Sequence, residues 1–461
     1  MPRSGPGGAP AGAVLAHADV TVVGGGPAGA AAAIELRRAG RSVTVVDKAA
    51  FPRDKCCGDG LTTLALRELE QLGFTPQQVD DWFDVDAAWL RSPSGREVRV
   101  PLPRSGAYAA ITPRLQLDGA VLDLARAAGA TVLERHAARG VEHHAARHRP
   151  DQSVEHGRTE PGHVDPGHVD PGHVEPGHVE PGHVEPGHVE VVVAPPDGTL
   201  GRVRSRYVVA ADGMWSPVRR ALGLGAGHLG EWHAFRQYAS GVTGTARERL
   251  HVWFEPDLLP GYAWSFPLPG DRANIGFGVL RDGTRRIADM KHLWSDLLTR
   301  PHVVAALGEG AALVDRHTAW PIPARIDTAL LAHERVMFVG DAAAATDVMT
   351  GEGIGQALLT GRLAAEAIVA AGATRPGAAR DRYERAVRHH LVADHHMSRL
   401  LGRALTSERG ARGAIRVVGA SGEWGRRNFA RWMFEDEPRA VLLTPSRWHR
   451  RFLARPGAWA A

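Results

Sequence analysis

Short β-branched runs, each followed by a glycine-rich turn and then by apolar residues three and four apart, recur along the chain. The first run, 20–23 (VTVV), reads as a buried strand. The chain then turns through Gly24, Gly25 and Gly26 into a helix beginning near Pro27, a residue suited to the first helical turn because no intrahelical N–H bond is lost there. Gly40 ends this helix, and 42–46 gives a second strand. Helical spacing resumes at Leu64, Leu66, Leu69 and Leu72, and 89–103 reads as a hairpin across Ser94 and Gly95. A turn leads into an amphipathic helix over 111–124, and 130–132 restarts a strand. Strands follow at 189–193 and 206–210, and 236–279 is rich in alternating strand patterns. After a helical stretch near 287–298, a buried run at 335–339 enters a second glycine-rich turn and a long helix. The remainder, from Arg382, is mostly helical and ends in a Trp- and Arg-rich tail.

The first strand–turn–helix carries Gly24, Gly26 and Gly29 as G-x-G-x-x-G, with Pro27 and Ala28 between the last two glycines. In this pattern the first glycine makes the tight turn, and the second lets backbone N–H groups approach a pyrophosphate. The third lets helix and strand pack closely, with the positive helix end on the phosphates. Asp47 lies 18 residues past Gly29 at the end of the second strand, where an acid can take ribose hydroxyls. Strand, helix, second strand and acid together predict dinucleotide binding over an ordinary glycine-rich loop.

The hydrophobic pattern breaks at 161–190, six tandem copies of PGHV followed by Asp or Glu. Proline and glycine in every unit forbid a regular helix, and the proline interrupts any sheet ladder. Each unit carries one histidine beside an acid, which allows casual transition-metal binding. The reading adopted is a disordered expansion of a loop between two strands, with no metal site assigned.

At 461 residues the chain exceeds the size at which one core usually splits. Its hydrophobic content of 44% is ordinary for a globular enzyme, and no apolar run approaches the roughly 20 residues of a membrane span. The two adjacent cysteines, Cys56 and Cys57, cannot staple distant parts of the fold, so a reduced, cytoplasmic location is expected. Net charge is only +4, but from Arg375 onward 18 arginines face 8 acids. Solvated helix faces account for that excess without a partner; a surface settling on anionic lipid headgroups at the cytoplasmic face accounts for it with one. No nucleic-acid motif is present, so nucleic acid is not an expected partner.

Three separated segments resemble one pattern, that of FAD-dependent enzymes with the para-hydroxybenzoate hydroxylase fold. They are the N-terminal dinucleotide motif, Asp212 with Gly213, and Gly340–Asp341 with Gly351-Glu352-Gly353-Ile354. The resemblance implies that Asp341 bonds the flavin ribityl chain and that the helix starting near Gly353 aims its N-terminus at the flavin pyrimidine side. It further implies that Asp212 and Gly213 support the pyrophosphate, that Arg114 stands near the phosphates and that Ala138 meets the adenine. Val348 departs from the pattern, since relatives usually carry proline there.

Two motifs narrow the family. PRDKCCGDGL, with Arg53, Cys57, Gly58 and Gly60, resembles P-R-x-K-x-C-G-x-x-L of geranylgeranyl reductases; Lys48 belongs to the same flavin-side stretch, and Cys56 is additional. Tyr262, Trp264 and Phe266 in YAWSFP, followed by Gly276-Phe277-Gly278, resemble that family's Y-x-W-x-F-P…G-x-G signature, which lines a tunnel for a prenyl chain. Aromatic walls suit a long apolar substrate. An isolated trisubstituted alkene takes hydride only if its other carbon receives a proton, so a nearby acid is required. Cys57, Tyr262 and Trp264 are the candidate catalytic residues, the first two as proton donors, and Phe266, Gly276 and Gly278 the candidate substrate contacts.

The implied fold is α/β: a Rossmann-like FAD-binding domain, an inserted antiparallel-sheet substrate domain and a C-terminal helical region. The expected division is a disordered leader at 1–17, and FAD-binding segments 18–84, 108–225 and 325–373 with the repeat insert at 155–190. Substrate-sheet segments 85–107 and 226–324 and a basic helical region 374–461 complete it. The implied activity is saturation of C=C bonds in a prenyl chain on a geranylgeranyl lipid or polyprenyl quinone, by hydride from reduced flavin N5 plus a proton. The alternative on this fold is an oxygen-using hydroxylase or epoxidase. Halogenation is disfavoured, because such enzymes need a lysine beside the substrate and lysine occurs here only at 48, 55 and 291. With no second dinucleotide motif, electrons would come from transiently bound NAD(P)H or a ferredoxin-like protein.

Overall fold

In a computed structural model, the described residues are 13–145, 147–148, 184–185, 187–225, 230–281, 287–448, 450–452 and 454–460. The cofactor domain is built on parallel strands in the order Val336–Phe338, Gly201–Ala210, Ala13–Val23, Val43–Val46 and Thr131–Leu133. Strand Ala332–His333 extends one edge, His188–Ala194 adds antiparallel to Gly201–Ala210, and Ala137–His144 adds antiparallel to His188–Ala194. The valine runs predicted as buried strands are buried on both faces at 43–46, as a sheet covered by helices requires.

Helices Pro27–Arg38 and Ile354–Ala371 lie against each other over this sheet. Their close approach depends on small residues. A Cβ at Gly361 would lie 2.1 Å from the Ala28 carbonyl oxygen, and one at Gly29 would lie 1.8 Å from the Gly24 carbonyl oxygen. Helix Ile354–Ala371 is long and apolar enough to cross a bilayer, but 78% of it is buried inside the protein. It is the central helix of the cofactor domain's core.

The second sheet has seven strands in the order Ala312–Ile322, Trp232–Ser240, Arg272–Leu280, Tyr262–Leu268, Leu250–Trp253, Ala87–Arg91 and Glu97–Pro101. All neighbours are antiparallel except Leu250–Trp253 with Ala87–Arg91. The hairpin predicted across Ser94 and Gly95 is the pair at its edge. Helices Ile287–Thr299 and Pro301–Leu307 cover one part of this sheet through Met290, Trp294, Leu297 and Val303. Helices Glu408–Ala420 and Gly422–Met433 cover another, packing Ile415, Val418 and Ala430 against Leu90, Val98 and Val100.

Two expected boundaries differ. The leader expected through residue 17 is already strand from Ala13, because 13–18 pair in parallel with 201–205 across nearly two hundred residues of chain. Residues 1–12 lie outside the described residues. The repeat insert expected to be disordered through 190 rejoins the sheet at His188, because Val189, Val191 and Val193 fill its buried face. The earlier repeats lie outside the described residues, apart from 184–185 and 187.

The C-terminal region is helical over Pro376–Val387, Ala393–Ala404, Glu408–Ala420 and Gly422–Met433. Its last segment is tied back by buried ion pairs. Asp436 accepts from Arg67 and Arg431, and Arg67 and Arg431 also donate to the carbonyls of Pro456 and Arg455.

The Gly361 contact gives a direct test. Gly361→Val forces the two central helices apart and should cost about 1–3 kcal/mol, the usual penalty of overpacking. A thermal or urea unfolding midpoint equal to that of the parent protein would contradict this packing.

Candidate functional site

One cavity of about 1040 Å³ runs between the two sheets and under the C-terminal helices. Gly24, Gly26, Pro27, Ala28, Asp47, Lys48, Arg53, Cys57, Gly58, Gly60, Arg114, Ala138, Asp212, Gly213, Tyr262, Trp264, Phe266, Gly278, Asp341, Gly351, Gly353 and Ile354 all line it. Residues taken from seven separate stretches of sequence therefore face one space. Gly29, Gly340 and Gly276 do not line it; they act in the packing around it.

At the glycine turn, Gly24 has φ +105° and a Cβ there would lie 2.2 Å from the Ala211 carbonyl oxygen, so no other residue fits. Asp47 is buried, and its two carboxylate oxygens accept from the Gly25 N–H at 2.7 Å and the Ala49 N–H at 2.8 Å. The acid thus fixes the turn as well as facing the cavity. Asp118, fully buried, takes a bidentate pair from Arg114 at 2.6 and 2.8 Å and an ion pair from Arg53 at 3.0 Å. This places two guanidinium groups at the turn where the pyrophosphate is expected. A Cβ on Gly26 would lie 3.2 Å from the Arg53 guanidinium, so a side chain there would crowd that arginine.

Opposite them, Asp212 accepts from the Val218 N–H at 2.9 Å through Oδ2, while its buried Oδ1 has no partner among the described residues. Burial pushes its carboxyl up to about 6. Bare glycine backbone, paired arginines and an unsatisfied carboxylate oxygen together fit a bound dinucleotide.

At the second glycine-rich turn, Asp341, Gly353 and Ile354 line the cavity and are held by two further contacts within the protein. Asp341, expected on the ribityl chain, pairs with Lys55 at 2.8 Å; burial alone would raise its carboxyl, but that ammonium holds it below the usual range. The first N–H groups of helix Ile354–Ala371, expected to face the flavin, are taken by Glu352, whose Oε1 accepts from Ile354 at 2.8 Å and Gly355 at 3.0 Å. Burial raises Glu352 to about 7. Where relatives carry proline, the loop around Val348 is instead fixed by Asp347, which accepts from the N–H groups of Met349 and Thr350 and from the Thr350 and Ser398 hydroxyls.

The other half of the cavity is apolar. Tyr262, Trp264 and Phe266 alternate along one strand and so share a face, with ring centroids 6.1 and 6.0 Å apart. Across the ladder they stand opposite Gly278, Gly276 and Asn274. A Cβ on Gly276 would lie 2.4 Å from the Trp264 indole, so this glycine makes room for the ring and does not itself face the cavity. Gly58 and Gly60 play the same part for Phe266, whose ring a Cβ would meet at 3.2 and 3.1 Å. The Tyr262 hydroxyl donates to the Thr350 carbonyl, which joins the aromatic wall to the loop before the central helix.

The loop carrying Cys57 is held by residues that sequence reasoning missed. Asp59, fully buried, accepts from the Tyr238 hydroxyl at 2.7 Å, the Asn274 amide at 2.7 Å and the Arg114 N–H at 3.2 Å. Arg236 donates to the Cys57 carbonyl at 3.1 Å and to both Asp54 carboxylate oxygens at 2.9 Å. Asn274 also donates to the Cys57 carbonyl and accepts from the Trp264 indole N–H. Both cysteines are free thiols, and Cys56 donates to the Thr318 carbonyl. Burial pushes the Cys57 thiol up to about 11, and burial likewise raises the Tyr262 phenol, so both keep their protons at neutral pH.

Also missed was the outer wall. Leu401, Leu405, Ile415, Val418, Phe429 and Trp432, from three C-terminal helices, line the apolar half. Their amphipathic spacing was visible in the sequence; their destination was not.

Residues 17–161 and 183–392 match the family described as FAD binding domain. The chain is 34% identical over 397 residues to a protein of Mycobacterium tuberculosis named menaquinone reductase, covering 80% of this chain and 81% of that one. It is 28% identical over 362 residues to digeranylgeranylglycerophospholipid reductase 1 of Methanopyrus kandleri, covering 77% and 80%. Among solved structures, a geranylgeranyl bacteriochlorophyll reductase-like protein of Thermoplasma acidophilum superposes with a TM-score of 0.69 at 20% identity, covering 94% of this chain and all of that one.

The raised Asp212 carboxyl yields a pH test with a definite sign. Its folded pKa, about 6, lies above its unfolded value, so its contribution favours the fold at low pH and is lost as pH rises from about 4 through 6. In the cofactor-free protein, Asp212→Asn should flatten the fall in urea midpoint across that window. A variant whose midpoint tracks the parent at every pH would show that Asp212 titrates normally.

Proposed function

Since the chain belongs to the FAD-dependent geranylgeranyl reductase family, we propose that it saturates C=C bonds in the prenyl chain of a quinone or geranylgeranyl lipid, menaquinone foremost. The single observation that carries this reading is the continuous apolar half of the cavity, walled by Tyr262, Trp264 and Phe266 on one side and by the C-terminal helices on the other. Such walls grip a long hydrocarbon by area alone and offer no polar recognition that would reject it.

Reduced flavin would supply hydride. The protein's part is to hold the alkene against it, exclude water and provide the proton. Cys57 and Tyr262 both face the cavity and are both protonated at neutral pH, which is the state a general acid needs. Arg114 lines the cavity with Cys57, and its positive charge favours the thiolate left after transfer. Electrons would reach the flavin from NAD(P)H or a ferredoxin-like protein.

The substrate reaches the cavity from a lipid surface. Ala404 and Ala414 are exposed and yet line the cavity, so its apolar half opens between helices Ala393–Ala404 and Glu408–Ala420. Leu400 and Val417, one helical turn from these alanines, are 58% and 71% exposed, and Trp424 is 72% exposed. Exposed Arg403, Arg409, Arg412 and Arg416 lie on the same two helices. Apolar side chains ringed by arginine fit an anionic membrane interface.

Two measurements test the reading. Under anaerobic conditions the dithionite-reduced holoprotein should add two hydrogens per turnover to a menaquinone prenyl chain, read by mass. Cys57→Ala or Tyr262→Phe, whichever removes the donor, should slow single-turnover reduction by about 10²–10⁴-fold. No mass gain, with oxygen uptake that depends on added substrate, would transfer the assignment to a monooxygenase. Separately, Val417→Ser combined with Trp424→Ser should weaken sedimentation with anionic liposomes severalfold while flavin content stays unchanged. Undiminished sedimentation would remove these helices as the docking face.

A further inference from the structure

We propose that His144, His188 and Glu190 form a binding site for a borderline transition-metal ion such as Zn²⁺, on the outer antiparallel part of the cofactor domain's sheet. Suitable ligand atoms of all three residues lie within 4.8 Å of one another. His144 Nε2 lies 3.7 Å from Glu190 Oε2, and His188 Nε2 lies 3.6 Å from Glu190 Oε1. Tetrahedral bonds of about 2.0–2.2 Å to nitrogen and oxygen place neighbouring donor atoms about 3.3–3.5 Å apart. Closing the set around an ion takes rotation of both imidazoles out of their parallel stack, so that their in-plane lone pairs converge.

Backbone register produces this arrangement. His188 and His144 are direct cross-strand partners, and their rings stack at 4.5 Å with planes 7° apart. Glu190 is two residues beyond His188 on the same strand, so it projects from the same face. Val189 between them points the other way, into the core, at 0% exposure. His188-Val-Glu190 is itself the sixth copy of the His-Val-acid unit repeated from residue 161. In extended conformation this unit puts imidazole and carboxylate on one side, and here the neighbouring strand adds a second imidazole.

The surroundings are compatible with a cation at a definite cost. Arg202 donates to Glu190 at 3.0 Å but also to Glu142, so a metal can take Glu190 without leaving that guanidinium unpaired. Arg204 donates to His188 Nδ1 at 3.0 Å; metal at Nε2 would move the ring proton to Nδ1 and release this contact. Two nitrogens and one carboxylate select Zn²⁺, Ni²⁺ or Cu²⁺ over Ca²⁺ and Mg²⁺, which favour all-oxygen sets.

The test uses the full-length holoprotein, stripped with a chelator and titrated with Zn²⁺ against a chromophoric competitor. His144 is the diagnostic position because it lies outside the repeats, so metal held by the repeat histidines alone would not depend on it. His144→Ala should weaken the tightest equivalent by at least about tenfold, since even outer-shell partners of metal ligands are worth that much. Glu190→Gln, which keeps the side-chain shape, should weaken it in the same direction, and excess Mg²⁺ should not compete. Flavin content and circular dichroism confirm that each variant is folded. If both variants hold the tightest equivalent within twofold of the parent, the site is overturned and any bound zinc belongs to the repeats alone.

Discussion

A single buried carboxylate organises the meeting of the two halves. Asp59 has no access to water, so each lone pair it keeps must find a donor within the protein. It finds the backbone N–H of Arg114 at the start of a cofactor-domain helix, and the Tyr238 hydroxyl and Asn274 amide on two strands of the second sheet. The loop bearing Cys57 thus cannot shift relative to either domain without orphaning a buried charge. Burial raises Asp59 to about 6, a measure of how incompletely even three donors replace water.

The apolar wall depends on this anchor. Asn274 bonds Asp59, the Cys57 carbonyl and the Trp264 indole together, so the thiol and the ring beside it are placed by one amide. Glycines on the facing strand and on the loop give way to the large rings, which is why the sequence alternates aromatic and glycine across the ladder. The Cys57 loop and the aromatic face are one packed unit.

Much of this was legible from local signals. The glycine turn, Asp47 and the aromatic triplet each announce themselves within a few residues, because their chemistry requires fixed spacing. What escaped depends on partners far away in sequence. Asp59 and Asn274 sit inside motifs that were read, yet nothing local says that they bond each other across 215 residues. Strand 13–18 looked like a leader because its ladder partner lies near residue 203. The C-terminal helices showed amphipathic faces without naming the cavity that those faces close, and their arginines drew attention to the outside. Glu352 lies inside the flavin-like motif, and its side chain also caps the helix that follows it, a role the motif does not announce.

The cavity's outer wall comes from helices 393–433, while its aromatic wall lies at 262–266. Chains grow from the N-terminus at about 5–20 residues per second. For several seconds of synthesis, therefore, Tyr262, Trp264 and Phe266 stand on a formed sheet with no lid over them. A nascent chain at that stage displays an apolar trough to solvent, and the last helices shield it as they complete the wall.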